Sequence, residues 1–142
     1  MIFLIIINSI VFSLLAILHI YWAMGGKQYL ADAIPTQLNG EVAMNPSIII
    51  TLLVAAVLLF FAGTTFANAG FLDVVIDPKY IHLATLFIGI IFILRAIGDF
   101  KFVGITKRIK ETRFAVKDNQ VYIPLCLTLG IFNCIIALYR HR

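Results

Sequence analysis

Four long apolar stretches dominate this chain and leave few folds open to it. Residues 2–24, 48–71 and 122–139 contain no Asp, Glu, Lys or Arg, and residues 80–100 contain only Arg95 and Asp99. Each stretch is close to the roughly 20 residues that a helix needs to cross the ~30 Å hydrocarbon core of a bilayer. Lipid offers no partner to an open backbone N–H or C=O, so such segments cross as helices that satisfy their own backbone. The spacing predicts an all-α integral membrane protein, an antiparallel four-helix bundle with spans at about 2–24, 48–71, 80–100 and 122–139. The chain has 142 residues, 62% of them hydrophobic, so four spans leave no room for a second domain and residues 1–142 read as one.

The flanks agree with that division. Gly25-Gly26-Lys27 ends the first span, and Asp32, Pro35, Asn39-Gly40, Glu41 and Asn45-Pro46 mark a polar loop. Pro46-Ser47 suits the opening turn of the second span, and the short connection from Leu72 to Lys79, with Asp73, Asp77 and Pro78, forces a tight turn. The start Met1-Ile2-Phe3 is uncharged, and the first apolar run ends in the bulky pair Tyr21-Trp22 rather than a small-residue cleavage site. The segment is therefore expected to stay as a span and not to be removed as a signal peptide. Cys126 and Cys134 sit eight residues apart on one span, about 12 Å along a helix, too far for a disulfide, and they form no CxxC pair. They read as small apolar residues.

Charge orients the bundle. The loops after the first and third spans lie on one side and carry Lys27, Lys101, Lys107, Arg108, Lys110, Arg113 and Lys117; the other side has Lys79, Arg140 and Arg142. Basic residues favour the cytoplasmic face, so the basic loop, residues 101–121, is expected inside and both termini outside. The net charge of +4 sits beside apolar spans. Anionic lipid headgroups are thus the expected partners, and no nucleic acid is. A homo-oligomer or a membrane-protein partner stays open.

Antiparallel threading brings distant residues to one depth at this basic end. His19 and Trp22 close the first span, Arg95 and Asp99 the third, and Asp118 and Tyr122 lead into the fourth. Ionisable groups within spans are costly and stand by default as candidates for a ligand or proton site. Arg95 and Asp99, four residues apart, are expected to pair on one helix face. Asp118 is expected to cap the turn into the fourth span or to pair with a loop arginine. In residues 101–118, Phe102, Ile105, Ile109 and Val116 recur at roughly helical spacing among basic residues, which suggests a segment lying on the membrane surface. Lys101, Lys107, Arg108, Lys110 and Arg113 are its candidate headgroup contacts, with Lys107 an exposed loop charge.

At the opposite end Asn8, Thr64, Thr65, Asn68 and Asn133 suggest a second polar layer that ties helices together. No metal and no cofactor are expected. A bis-histidine haem needs two histidines at one depth within the bundle, but His19 lies near the basic end, and His82 and His141, which could share a depth at the other end, both sit at the water boundary.

The run RAIGDFKFVGITKRIKETRFAVKDNQVYIPLCL, from Arg95 to Leu127, and the segment HIYWAMGG, from His19 to Gly26, resemble a family of small bacterial four-span membrane proteins known as domain of unknown function 3995. The resemblance implies a bacterial cytoplasmic (inner) membrane and the four-span plan, and it implies no reaction. The leading reading is a non-catalytic module that binds anionic lipid or a membrane partner through its basic end. The alternatives are a small membrane enzyme acting on a lipid or quinone through His19, Arg95 and Asp99, and an oligomeric transporter. The sequence has no HxxxH, CxxC or serine elbow to favour catalysis, and no inverted repeat to favour transport.

Overall fold

The computed structural model describes residues 1–71 and 75–139. Asp73 of the short middle connection and the tail Arg140-His141-Arg142 lie outside the described residues. Among the described residues six α-helices form in chain order: α1 (Ile2–Ala23), α2 (Leu30–Ala33), α3 (Ile48–Ala67), α4 (Pro78–Ile97), α5 (Arg113–Lys117) and α6 (Ile123–Leu138). A π-turn over Asp118–Tyr122 joins α5 to α6, so the fourth crossing is one element, Arg113–Leu138. α1, α3, α4 and this last element are each long and apolar enough to cross a bilayer. The protein is an integral membrane four-helix bundle.

Local chemistry starts the spans where they start. The Ser47 hydroxyl accepts from Ile50 N–H at 3.3 Å to cap α3, and the Asp77 carboxylate accepts from Lys79 N–H at 2.8 Å to cap α4, whose first turn holds Pro78. Each cap satisfies a backbone donor that has no partner within its own helix.

α1 packs mainly on α3, and α4 mainly on α6. In the first pair Ser9, Ser13 and Leu14 of α1 share a groove with Leu59, Ala62 and Gly63 of α3. In the second pair glycine meets glycine: a Cβ on Gly89 would stand 2.9 Å from the Gly130 carbonyl oxygen, and a Cβ on Gly130 would stand 2.9 Å from that of Gly89. Without a full GxxxG, one glycine from each helix lets the two backbones touch.

Phe12, Phe61 and Phe92, from three different helices, close the middle of the bundle with ring centroids 5.2 to 6.2 Å apart. Ala16, Leu58, Ala62, Ile88 and Leu129 fill the space around them. The polar layer lies toward the end away from the basic loop. Thr65 donates to Asn133 Oδ1 at 2.9 Å, Asn68 Nδ2 to Thr85 Oγ1 at 2.8 Å, and Asn8 Nδ2 to the Leu129 carbonyl at 3.4 Å. These bonds link all four spans. Outward positions such as Leu14, Ile17, Leu53, Phe60, Phe87 and Leu94 are apolar and exposed, as a lipid-facing surface requires.

Candidate functional site at the basic end

The site begins with a proline. Pro124 has no N–H, and its ring would press on the carbonyl four residues back in a regular helix. The backbone widens into the π-turn over Asp118–Tyr122 just before it. That turn directs the Asp118 side chain inward, where it is 0% exposed.

Asp118 is the hub of the basic end. Its Oδ1 accepts from Arg95 Nη2 at 3.1 Å, and its Oδ2 from Lys107 Nζ at 3.0 Å and Gly104 N–H at 2.8 Å. Lys107 also donates to the Gly104 carbonyl at 3.0 Å and to the Asn119 side-chain oxygen. Buried charges persist where opposite charge and hydrogen bonds surround them, and here both do.

Residues 98–112 are irregular and fold back over the end of α4. Ile105 N–H reaches the Ala96 carbonyl at 2.9 Å, and Thr106 N–H the Ile97 carbonyl at 3.1 Å. Gly98 (φ 98°) and Gly104 (φ 83°) make the crossing, where a Cβ on Gly98 would stand 1.7 Å from the Val103 carbonyl oxygen. Only glycine fits both the conformation and the space.

Three expectations change here. Arg95 pairs with Asp118 and not with Asp99, because α4 stops at Ile97 and Gly98 turns the chain before a fourth helical residue follows. The Asp99 carboxylate instead accepts backbone N–H groups from Lys101, Phe102 and Val103 at 2.7 to 2.9 Å. Slight burial pushes its pKa up, but these backbone donors outweigh it and hold the carboxyl below its ordinary value. Lys107 is 2% exposed and is no surface charge. The surface helix suggested over residues 101–118 is confined to α5, whose start is capped by Thr112; the glycine crossing and the pull of Asp118 hold the rest as a loop.

In front of Arg95 lies a cleft of about 570 Å³ between the ends of α1, α4 and α6, with α2 and α5 at its rim. Leu15, Leu18, Phe114 and Leu125 give it apolar walls, and Arg95, Lys117 and His19 supply polar groups. His19 Nδ1 donates to the Leu15 carbonyl at 2.7 Å, and its ring meets that of Trp22 edge-on at 4.9 Å. Trp22 Nε1 donates to the Gln28 carbonyl at 2.9 Å. The rim is tied down by Tyr122, whose hydroxyl donates to the Asp32 carbonyl at 3.2 Å, and by an ion pair between Arg113 and the Asp32 carboxylate. Arg95 spends Nη2 on Asp118, while its Nη1 is buried and has no hydrogen-bond partner.

Of the residues singled out from sequence, His19, Trp22, Arg95 and Tyr122 line this cleft, and Asp118 stands behind Arg95. Asp99 does not line it. Lys101, Arg108, Lys110 and Arg113 are exposed on the loop and α5, with the Lys101 ammonium 4.9 Å over the Phe102 ring. Tyr29, Asp32, Phe114 and Lys117 also line the cleft and were not foreseen. Asp32 and Tyr122 are ninety residues apart and obey no common periodicity; only a lone carboxylate beside the apolar turn of α2 hinted at a partner. Among the described residues no group of three or more His, Cys, Asp or Glu could hold a metal ion.

A family described as a protein of unknown function, DUF3995, matches the chain over residues 12–133. Neither a curated relative nor a solved structure matches it.

Proposed function

This chain belongs to the DUF3995 family, and from that premise we propose that it is a non-catalytic module of a bacterial inner membrane that binds an anionic lipid through its basic, cytoplasmic end. The carrying observation is the Arg95 side chain, a third of it exposed, on the wall of an amphiphilic cleft among the ends of the spans. An anion in the cleft would meet that cation where water is partly excluded and charge attraction is stronger than in bulk solvent. The surrounding balance favours the same ligand: Arg95, Lys107, Arg113 and Lys117 face only Asp32 and Asp118. Apolar walls beside a cationic base suit a headgroup with part of one acyl chain, and the volume falls within the ~300–1,000 Å³ usual for ligand pockets. The alternative of an enzyme in which His19 and Asp99 exchange a proton has less support, because Asp99 is engaged by its own loop.

Trp22, the sole tryptophan, lines the cleft and so reports its occupancy. In detergent, phosphatidylglycerol with brominated chains should quench Trp22 emission at concentrations where brominated phosphatidylcholine does not. Arg95→Gln should weaken that binding about 10- to 100-fold, the worth of a hydrogen bond to a charged group. Equal quenching by the two lipids would remove the proposal.

A further inference from the structure

The cleft offers an acceptor as well as a cation. A carbonyl only accepts, so the 2.7 Å contact from His19 to the Leu15 oxygen places a proton on Nδ1 and, in the neutral ring, leaves a lone pair on Nε2. The ring cannot swing freely. Trp22 braces it edge-on at 4.9 Å, and Trp22 is itself pinned to the Gln28 carbonyl. None of the described residues donates to Nε2, just as none accepts from Arg95 Nη1. One cleft therefore presents an unused acceptor beside a cationic wall, where a third of the Arg95 side chain is exposed. A bare anion meets the cation alone.

Building on the lipid reading above, we infer that the cleft selects an anionic phosphodiester lipid whose headgroup carries a free hydroxyl, a polyol such as glycerol. The phosphate faces Lys117 and the exposed part of the Arg95 side chain, the headgroup hydroxyl donates to His19 Nε2, and the first part of an acyl chain lies along Leu15, Leu18 and Leu125. A choline or ethanolamine head would instead bring a cation toward Arg95 and Lys117, which repels it. A phosphodiester closed by a methyl group keeps the charge and lacks the donor.

That last compound makes the test. Native mass spectrometry of the full-length protein, titrated with phosphatidylglycerol and with phosphatidylmethanol, compares two lipids of equal charge that differ in the hydroxyl. Phosphatidylglycerol should bind about three- to tenfold more tightly, the worth of one net hydrogen bond. His19→Phe, which keeps an aromatic edge on Trp22, should abolish that preference, so that the two lipids bind the variant equally. Equal binding of the two lipids by the native protein, a comparison that needs no variant, would overturn the headgroup inference and leave anionic-lipid binding standing. If neither lipid exceeded phosphatidylcholine, the underlying reading would fall with it. Soluble glycerol phosphate binding as tightly as the lipid would assign the cleft to a free phosphate ester and overturn the membrane source.

Discussion

A buried ammonium is tolerated only where oxygens surround it, and Lys107 has three: Asp118 Oδ2, the Gly104 carbonyl and Asn119 Oδ1. Removing Asp118 strands that lysine and frees Arg95 as well. Breaking one side of a buried pair costs about 3–5 kcal/mol, whereas an exposed loop charge contributes well under about 1 kcal/mol. Asp118→Asn and Lys107→Ala should therefore each lower thermal stability in detergent far more than Lys110→Ala. Arg95→Ala should fall between them, because a third of its side chain is exposed and water can replace part of the lost pairing. The order reverses the one suggested by sequence, in which Arg95 was the buried partner and Lys107 the solvated control. Lys107→Met combined with Asp118→Leu should cost less than the sum of the single losses, since no orphaned charge remains between them. Additive losses would show that the two residues do not act as a pair.

The spans were legible from the sequence because one property, apolar length, decides them and needs no knowledge of what lies beside them. The turns before α3 and α4 were legible for the same local reason, whereas the capping roles of Ser47 and Asp77 were not, and Pro46 stands just before the helix rather than in its first turn. The contacts between spans were not. Gly89 and Gly130 are forty-one residues apart, and nothing around either glycine specifies the other, yet their backbones set how closely α4 approaches α6. The loop over residues 98–112 misled the periodicity argument because its apolar residues are placed by two glycines and a distant carboxylate rather than by a helical repeat. Gly130→Ile tests the glycine contact. Its side chain would meet the Gly89 carbonyl and Ile93, so it should force α4 from α6 at a cost of about 1–3 kcal/mol. The same substitution at Gly63, where an added Cβ meets nothing within 4 Å, should be tolerated. Comparable melting temperatures for the two variants would count against close backbone packing.

For the whole molecule, burial of Lys107 alters the charge argument for orientation. A cation held inside the fold by Asp118 presents no charge to the lipid surface, so it drops out of the surface bias of the folded bundle. Lys27, Lys101, Arg108, Lys110, Arg113 and Lys117 remain on one side, against Lys79, Arg140 and Arg142 on the other. Six against three still favours the basic end inside. With the basic end inside, the cleft would sit in the leaflet whose anionic lipids raise the local concentration of its proposed ligand. Orientation and function are thus linked: a cleft facing outward would meet a different lipid population. Lys110 and Ile76 are exposed at opposite ends of the bundle and can report the choice. In intact cells an impermeant maleimide should label Ile76→Cys at once and Lys110→Cys only after the membrane is opened. Background from the native thiols should be small, because Cys126 is buried and Cys134 lies within α6. The reverse labelling would turn the bundle over and, with it, place the cleft in the outer leaflet.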